Sequence, residues 1–311
     1  MEEVEPLEEP QDEAFSLGEK QIWAVGGGKG GVGKSFVSAN LAVGLAQRGH
    51  QVIVVDADLG GANMHTCLGI PYPSHTLADF IDNRFASLEE ILLPTVVPRL
   101  RLISGASDIL SLANPQYSQK QKIIRHLRRL KADYILLDLG AGTTYNVLDF
   151  FNLAHRKLIV VTAEPTSIQN GYGFIKSALF RHLVRQFSTQ ALVTDLLRGH
   201  WSLGGTRPET VRQMTQALLR EVPEIGASFQ AAVAAYQCKL ILNMTSPPQD
   251  QKVYSVVRSV SRGFLDLELE WIGSVPRDEK AQASIEQMSP VLLSYPESEV
   301  ARKLRQMLER I

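Results

Sequence analysis

Cysteine is scarce in this chain of 311 residues: Cys67 and Cys238 are the only two, and they lie far apart. This scarcity excludes a disulfide scaffold and a four-thiolate metal site within one chain, and it suits a reducing cytosol. No run of about 18 apolar residues occurs, so the sequence predicts no membrane-spanning helix. The N-terminus also lacks the basic and apolar regions of a signal peptide. We therefore expect a cytoplasmic protein.

The net charge is small as well, because 33 acidic residues offset 32 Lys and Arg residues. The charges are unevenly distributed, however. Residues 1–20 contain eight acids and one base, so the remaining chain holds 31 bases and 25 acids, a net charge of +6. This composition predicts a disordered acidic tail over residues 1–18. A regulatory role of the tail stays open beside the simpler interpretation of a solvated end.

Strand-like apolar runs alternate with amphipathic segments of helical length along the rest of the chain. Several runs are β-branched and apolar on both faces, which is typical of strands covered by helices on both sides. The pattern predicts a three-layer α/β fold with a mostly parallel, doubly wound sheet. The predicted strands are Ile22–Val25, Val52–Asp56, Leu100–Ile103, Tyr134–Asp138, Leu158–Thr162, Leu240–Asn243 and Leu269–Ile272.

A stretch of nearly 80 residues separates the strands predicted at Leu158–Thr162 and Leu240–Asn243. One crossover helix, at about Ser167–Gln186, fills only part of it. We predict a helical insertion of two or three helices over about residues 188–237, within a single domain that spans residues 19–311. The insertion would either cover the sheet edge or bind a partner, and both interpretations stay open.

A glycine-rich loop follows the first predicted strand and precedes an amphipathic helix. Its spacing fits G-x-x-x-x-G-K-[ST], a phosphate-binding loop, in the strand-to-helix context that this motif requires. Glycines let successive N–H groups point at one anion, and the helix N-terminus adds a positive dipole end. Lys34 would place its charge near the β- and γ-phosphates, and the Ser35 hydroxyl would bind Mg²⁺. The predicted nucleotide-binding residues of the loop are Gly28, Lys29, Gly30, Gly31, Val32, Gly33, Lys34 and Ser35.

The second lysine of this loop, Lys29, makes the motif resemble the deviant Walker A sequence of the MinD/ParA ATPases, K-G-G-x-G-K-S. In that family the extra lysine reaches across a homodimer to the nucleotide of the partner subunit. The resemblance covers about residues 21–187 and 239–290. It implies ATP and Mg²⁺ as ligands, an ATP-dependent homodimer, and catalytic roles for Lys29 and Lys34.

Two carboxylate segments follow predicted strands at the edge where ligands bind in such sheets. DADLGGAN, which starts at Asp56, resembles switch I of the family. The resemblance implies that Asp58 orients the attacking water and that Asn63 has a switch role. DLGAG, which starts at Asp138, resembles switch II, with Asp138 as the Walker B carboxylate and a backbone N–H near Gly142 that senses the γ-phosphate. Asp56 and Asp138 would hold Mg²⁺ through water.

Four further positions concern the nucleotide. Asn243, Pro276 and Asp278 match family segments that contact adenine, although Asn243 also suits a turn at a strand end. Phe36 stands where many family members carry a second threonine that touches the α-phosphate. Losing that hydrogen bond would weaken nucleotide binding by about 0.5–3 kcal/mol, and we expect the protein still to bind nucleotide without it.

The segments Asp56–Gly69 and Asp138–Lys176 most resemble the FlhG/FleN/YlxH group, which sets flagellar number and placement. The resemblance implies a switch that dimerises on ATP, is reset by hydrolysis, and positions or counts a cellular structure. The acidic tail lacks the D-Q-A-x-x-L-R segment with which that group often stimulates a GTPase. An FlhF-like GTPase therefore stays an open partner prediction.

Two predicted helices could bind a membrane or DNA. Relatives use a C-terminal amphipathic helix for reversible membrane binding, which would place the protein at the inner face of the cell membrane. Such a helix more commonly packs on the core of its own chain. The apolar residues at helical spacing there are Val300, Leu304, Met307, Leu308 and Ile311.

A second helix is basic and would either bind DNA non-specifically or form a solvated face, which we favour. Its bases are Lys120, Lys122, Arg125, His126, Arg128, Arg129 and Lys131.

Other functions fit the same fold: a ParA-like ATPase that positions DNA or cargo, an iron–sulfur carrier, a small-molecule synthetase, and a nucleotide-binding scaffold that barely hydrolyses ATP. The isolated cysteines argue against the carrier. No segment matches the substrate-carboxylate pocket of a synthetase, and Asp58 and Asp138 argue against the scaffold.

Overall fold

The computed structural model describes residues 20–105, 115–199, 208–246 and 249–311. The predicted tail of residues 1–18 lies outside these ranges. The described strands are β1 (Gln21–Gly26), β2 (Val52–Ala57), β3 (Leu93–Pro94), β4 (Leu100–Ile103), β5 (Tyr134–Leu139), β6 (Arg156–Val161), β7 (Cys238–Thr245) and β8 (Leu269–Pro276).

These strands form one sheet in the order β3-β4-β2-β5-β1-β6-β7-β8. Every pairing is parallel except that of β3 with β4. The central strands β1, β2 and β5 are buried on both faces, which explains their continuous apolar runs. All seven predicted strands are confirmed, and the fold is the predicted three-layer α/β fold.

Helices cover both faces of the sheet. They are α1 (Lys34–Gln47), α2 (Met64–Cys67), α3 (Leu77–Ile81), α4 (Tyr117–Leu127), α5 (Tyr145–Leu153), α6 (Pro165–Gln186), α7 (Ala191–Arg198), α8 (Val211–Glu221), α9 (Pro223–Ala235), α10 (Gln249–Val260), α11 (Glu279–Glu286), α12 (Val291–Ser294) and α13 (Glu299–Met307). A 3-10 helix at Leu88–Ile91 and a π-helical turn at Ser261–Leu265 complete the set.

The two faces have separate cores. Helix α1 packs on one face together with α2, α12 and α13. Helices α3 to α10 contribute to the core on the other face. The C-terminal edge of the sheet, where β1, β2 and β5 end, lies between these layers and carries the predicted site residues.

The predicted insertion forms α7, α8 and α9 among the described residues, while residues 200–207 lie outside them. Val193, Leu218 and Phe229, one from each helix, are almost fully buried in the same core as α6. The Tyr236 hydroxyl, just after α9, donates a hydrogen bond to Asn152 Oδ1 on α5 at 2.7 Å. These contacts support the covering role of the insertion, and the partner-binding role stays a prediction.

The C-terminal helix docks on the chain's own core. Val300, Leu304 and Met307 of α13 are at most 1% exposed. The Arg48 guanidinium of the α1 C-terminus donates a hydrogen bond to the Leu308 carbonyl at 3.0 Å. The apolar face that a membrane would need is therefore used internally. Among the residues that the structure describes, every helix is too short or too polar to cross a bilayer.

Candidate functional site

The phosphate loop joins β1 to α1 and is held by close backbone packing. Gly33 has φ +88°, a left-handed conformation that favours glycine, and it caps the start of α1. A Cβ at Gly28 would lie 1.9 Å from the Asn170 carbonyl oxygen of α6. The first half of the loop therefore rests against α6, and glycine is required where it does so.

The ammonium group of Lys34 lies in the interior of the site. The residue is 8% exposed, and its Nζ donates a hydrogen bond to the Lys29 carbonyl at 3.4 Å. Burial lowers the pKa of Lys34, while the carboxylates of Asp138 and Asp58 oppose this shift. The lysine thus lies between the loop and both switch segments, where its positive charge would attract the phosphates of a nucleotide.

The signature lysine, Lys29, points to a different place. Its Nζ lies 3.2 Å from Glu164 Oε2 and donates to Thr166 Oγ1 at 3.3 Å, both at the start of α6. The Lys29 side chain remains 43% exposed. It therefore sits on the outer rim of the site, within reach of solvent or of another molecule.

Two buried carboxylates face each other on neighbouring strands. Asp56 on β2 is in register with Asp138 on β5, and the residues are 0% and 1% exposed. Burial raises the pKa of Asp56, and the nearby Asp138 adds to the rise. Burial also raises the pKa of Asp138, which hydrogen bonds from Ser35 and Ser38 and the charge of Lys34 counteract. A divalent cation would relieve this concentration of negative charge.

Asp58 links the two switch segments. Its Oδ1 accepts a hydrogen bond from the Gly60 N–H at 3.3 Å. A Cβ at Gly140 would lie 3.0 Å from the same oxygen, so switch II passes directly beside this carboxylate. Asp58 is less buried than Asp56 and Asp138. This partial access to solvent suits the predicted role of orienting a water molecule.

The predicted adenine contacts lie at the same edge. The buried Asn243 side chain, at the end of β7, donates from Nδ2 to the Val32 carbonyl of the phosphate loop at 2.8 Å. Pro276 ends the adjacent strand β8, and Asp278 caps α11 by accepting a hydrogen bond from Lys280 N–H at 2.7 Å. The structure thus gives Asn243 a loop-supporting contact that the sequence did not reveal. Its predicted contact with adenine stays a prediction.

The remaining predicted residues occupy the borders of the site. Phe36 is half-buried and packs against the core beneath α1. Asn63 is exposed and precedes α2 without capping it through its side chain. Gly142 has φ +90° and open space around it, which leaves its N–H in a glycine-dependent turn. None of these contacts tests the predicted roles of the three residues.

The donor groups suit magnesium held through a nucleotide. Mg²⁺ prefers oxygen ligands, keeps several waters, and is commonly bound by one or two carboxylates with substrate phosphates. Ser35, Asp56 and Asp138 supply a hydroxyl and two carboxylates of this kind at one point. Within the described ranges, no group of three or more His, Cys, Asp or Glu side chains could hold a metal alone.

The expectation that the bases of α4 all lie in water is wrong for Lys120, which is 4% exposed. Its Nζ forms an ion pair with Asp149 of α5, a side chain with no exposed surface. Arg181 and Arg185 of α6 pair with the same carboxylate at 2.9 and 2.8 Å. These partners and hydrogen bonds hold the pKa of Asp149 below its usual range despite burial. We call these four residues the Asp149 cluster.

The two cysteines lie at opposite edges of the sheet. Cys238 begins β7, whereas Cys67 ends α2, which follows the C-terminal end of β2. Burial raises the pKa of both thiols to about 12. They therefore offer neither a shared metal site within one chain nor a reactive thiolate.

Comparison with known proteins agrees with this geometry. The sheet order, the loop between β1 and α1 and the strand-end carboxylates define a P-loop nucleotide-binding protein. A protein-family model, ParA, described as a NUBPL iron-transfer P-loop NTPase, matches residues 18–171. The chain belongs to the ParA/MinD family of P-loop NTPases.

Individual relatives indicate the branch. The antiactivator FleN of Pseudomonas aeruginosa is 28% identical over 296 residues, which cover 94% of this chain and 86% of FleN. The flagellum site-determining protein YlxH of Helicobacter pylori is 34% identical over 172 residues, 55% of this chain and 58% of YlxH. Both matches support the predicted FlhG/FleN/YlxH branch. The matches to MinD proteins span about half of this chain and of each relative.

Solved structures show the same fold. MinD of Pyrococcus horikoshii, complexed with Mg-ADP, aligns with a TM-score of 0.63 over 94% of this chain and 96% of that chain, at 20% identity. The cell division ATPase MinD of Pyrococcus furiosus aligns with a TM-score of 0.62 over 94% and 98% of the two chains, also at 20% identity.

Proposed function

We propose that this chain is an ATPase switch that dimerises on binding ATP, is reset by hydrolysis, and acts in the positioning or number control of a cellular structure of the flagellar kind. The observation that best supports this proposal is the different placement of the two lysines of the phosphate loop. Lys34 is buried among the switch carboxylates, whereas Lys29 lies on the outer rim. One lysine would serve the nucleotide of its own chain, and the other would serve that of a second copy.

The residues divide the work as follows. The loop N–H groups and Lys34 would bind the β- and γ-phosphates and orient them. Asp58 would hold the attacking water through its half-buried carboxylate. Ser35, with Asp56 and Asp138 through water, would hold Mg²⁺, which supplies charge neutralisation to the phosphates when bound. Hydrolysis would then release the switch segments from the γ-phosphate.

The flagellar role is supported by FleN, which covers nearly the whole chain, and by YlxH, whose name refers to flagellum site determination. An FlhF-like GTPase is the partner that this branch implies. The iron-transfer description of the family model receives no support from the two separated thiols, of which Cys238 is buried and Cys67 half-buried.

Phosphate release tests the catalytic part of this proposal. Lys34→Ala should abolish nucleotide-dependent turnover, because the buried charge next to the phosphates is lost. Asp58→Ala should lower the rate by about 10²-fold or more while ATP still binds, since only the water-orienting group is removed. An Asp58→Ala protein that hydrolyses ATP at the wild-type rate would contradict the assignment.

A further inference from the structure

The Asp149 cluster holds more positive charge than its carboxylate can balance. Three cations surround one acid, which leaves a surplus of two positive charges. Asp149 is also the only acid in α4, α5 and α6. The Lys and Arg residues of these three helices are Lys120, Lys122, Arg125, Lys176, Arg181 and Arg185. Because uncompensated charge at a partly buried site is unfavourable, a second anion would stabilise the cluster.

The two arginines of the cluster keep donors that Asp149 does not use. Arg181 donates from Nε and Nη2 at 2.9 and 3.1 Å, and Arg185 donates from Nη1 at 2.8 Å. Within the described ranges, Arg181 Nη1 and Arg185 Nε and Nη2 have no hydrogen-bond partner, and none of these three nitrogens is fully buried. The carboxylate therefore holds both guanidinium groups in place while leaving donors accessible to a second acceptor.

The electrostatic environment of Arg185 reflects the surplus of positive charge. Burial lowers the pKa of Arg185, Asp149 opposes this shift, and the charge of Arg181 adds to it. In the part of the chain that the structure describes, Asp149 is the only carboxylate whose charge acts on Arg185. An incoming carboxylate would therefore meet a guanidinium group that is only partly compensated.

Two exposed tyrosines border the cluster. Tyr145, the first residue of α5, is 65% exposed, and the centre of its ring lies 4.5 Å from Arg181 Cζ. Tyr117, the first residue of α4, is 38% exposed, and the Lys120 ammonium lies 5.6 Å from the centre of its ring. Tyrosine and arginine are enriched among the residues that dominate binding energy at protein interfaces. We call Tyr117, Tyr145, Arg181 and Arg185 the tyrosine–arginine surface.

The depth of the arginines indicates which anion this surface fits. The Arg181 and Arg185 side chains are 16% and 14% exposed, so their donors are recessed beside the exposed Tyr145 ring. A DNA duplex is a wide rod whose phosphates meet cations that extend from a surface. An Asp or Glu side chain is narrow enough to enter and can accept paired N–H bonds from an arginine. The geometry therefore favours an acidic protein segment over nucleic acid.

We propose that the tyrosine–arginine surface docks an acidic segment of a partner protein. An Asp or Glu side chain of that segment accepts hydrogen bonds from Arg185 and Arg181 beside the Tyr145 ring. Tyr145 lies three residues after Gly142 of switch II, so the docked segment contacts the helix that follows this switch. Any coupling between docking and the bound nucleotide rests on the proposed function, whereas docking itself does not.

Fluorescence anisotropy tests the docking with a labelled peptide of about twelve residues in which Glu and Gly alternate. The wild type should bind this peptide and not the matched peptide with Gln in place of Glu. Arg185→Gln and Tyr145→Ala should each weaken binding by about fivefold or more. Arg125→Gln removes the same charge from the exposed side of α4 and should change the affinity by less than about twofold.

Three results would overturn the docking proposal. The wild type could fail to bind the Glu peptide. Arg125→Gln could weaken binding as much as Arg185→Gln, which would show attraction by overall charge alone. Tyr145→Ala and Arg185→Gln could abolish binding of a labelled DNA duplex and leave peptide binding unchanged, which would assign this surface to nucleic acid.

Two controls separate docking from folding and from the nucleotide site. Tyr145→Ala removes an exposed ring and leaves every ion pair of Asp149 intact, so it should unfold at the same urea concentration as the wild type. Lys34→Ala should keep its affinity for the Glu peptide even if the proposed ATPase activity proves wrong. Loss of peptide binding in Lys34→Ala would place the peptide at the phosphate loop and contradict the proposal.

Discussion

Asn243 shows how a residue late in the chain supports a loop near its beginning. Its Nδ2 donates to the Val32 carbonyl, across 211 positions of sequence. The neighbouring Gly33 has no room for a side chain, since a Cβ there would lie 2.1 Å from Asn243 Nδ2. The shape of the phosphate loop therefore depends on a glycine and an amide that fit each other.

Glycine substitutions provide a matched test at this scale. Gly33→Ala should abolish nucleotide binding and destabilise the protein by about 1–3 kcal/mol, because the new Cβ meets Asn243 and the left-handed backbone becomes strained. Gly173→Ala, in α6 and outside the predicted site, should be tolerated, since nothing lies within 4 Å of a Cβ there. Calorimetric titration with ATP and thermal melting measure both effects. Equal nucleotide affinities for the two variants would contradict this account of the loop.

The predicted site residues are easier to identify than their contacts. Motif spacing predicted Lys34, Asp56 and Asp138 as site residues, and the structure places the two carboxylates side by side because strand-end positions in a parallel sheet meet at one edge. The contact of Lys29 with Glu164 joins residues 135 positions apart and has no periodic signal. Ser38, whose hydroxyl donates to Asp138 Oδ1 at 2.9 Å, was missed for the same reason.

Helices α4, α5 and α6 are tied together by the Asp149 cluster. Helix α5 follows switch II, and α6 begins at the residues that hold Lys29. The cluster thus fixes the positions of α5 and α6 relative to each other. It thereby links switch II, which precedes α5, to the start of α6, where Lys29 is held. A sequence pattern predicted Lys120 as a surface base, since an amphipathic pattern does not reveal a buried ion pair on a neighbouring helix.

Removing the central carboxylate should be costly. Asp149→Ala leaves three partly buried cations without their partner, and we expect a loss of about 3–5 kcal/mol in the free energy of unfolding. Asp195→Asn on the exposed side of α7 is the control and should change it by less than about 0.5 kcal/mol. Urea denaturation measures both. A loss below about 1 kcal/mol for Asp149→Ala would show that the cluster does not hold the three helices together.

The pH dependence of this cluster follows from its charge. The pKa of Asp149 is lowered in the folded state, so its stabilisation is complete above the unfolded value of about 3.9 and declines as the pH falls through the folded value. The stability difference between the wild type and Asp149→Asn should therefore be constant from pH 7 to about pH 5 and shrink in more acidic solution. Urea denaturation across this pH range would reveal a contradiction if the difference grew on acidification.

At the scale of the whole molecule, the alternation of strand and helix patterns predicted the sheet, its parallel pairing and the existence of the insertion. The short strand β3 was missed, because two antiparallel residues at a sheet edge carry no recognisable pattern. The destination of the C-terminal helix required the structure, since an amphipathic face suits a membrane and a protein core equally well.

The internal docking of α13 leads to a prediction about the entire fold. Leu304→Asp should lower the unfolding temperature by several degrees, because a charge would be buried in the core between α13 and α1. It should leave sedimentation with anionic lipid vesicles unchanged. Arg302→Asp, on the exposed side of α13, should preserve the melting temperature and serves as the control. A Leu304→Asp protein that melts like the wild type but loses vesicle binding would show that this face contacts membrane instead.

The central claim is that ATP closes two copies of this chain around their nucleotides. Molecular mass by light scattering tests it most directly, with ADP and then with ATP in the Asp58→Ala variant, in which hydrolysis is slowed. We expect the mass of one chain with ADP and of two chains with ATP, and Lys29→Ala added to Asp58→Ala should restore the mass of one chain. A single-chain mass in every state, with nucleotide shown to be bound, would contradict the switch and favour a nucleotide-binding scaffold or synthetase.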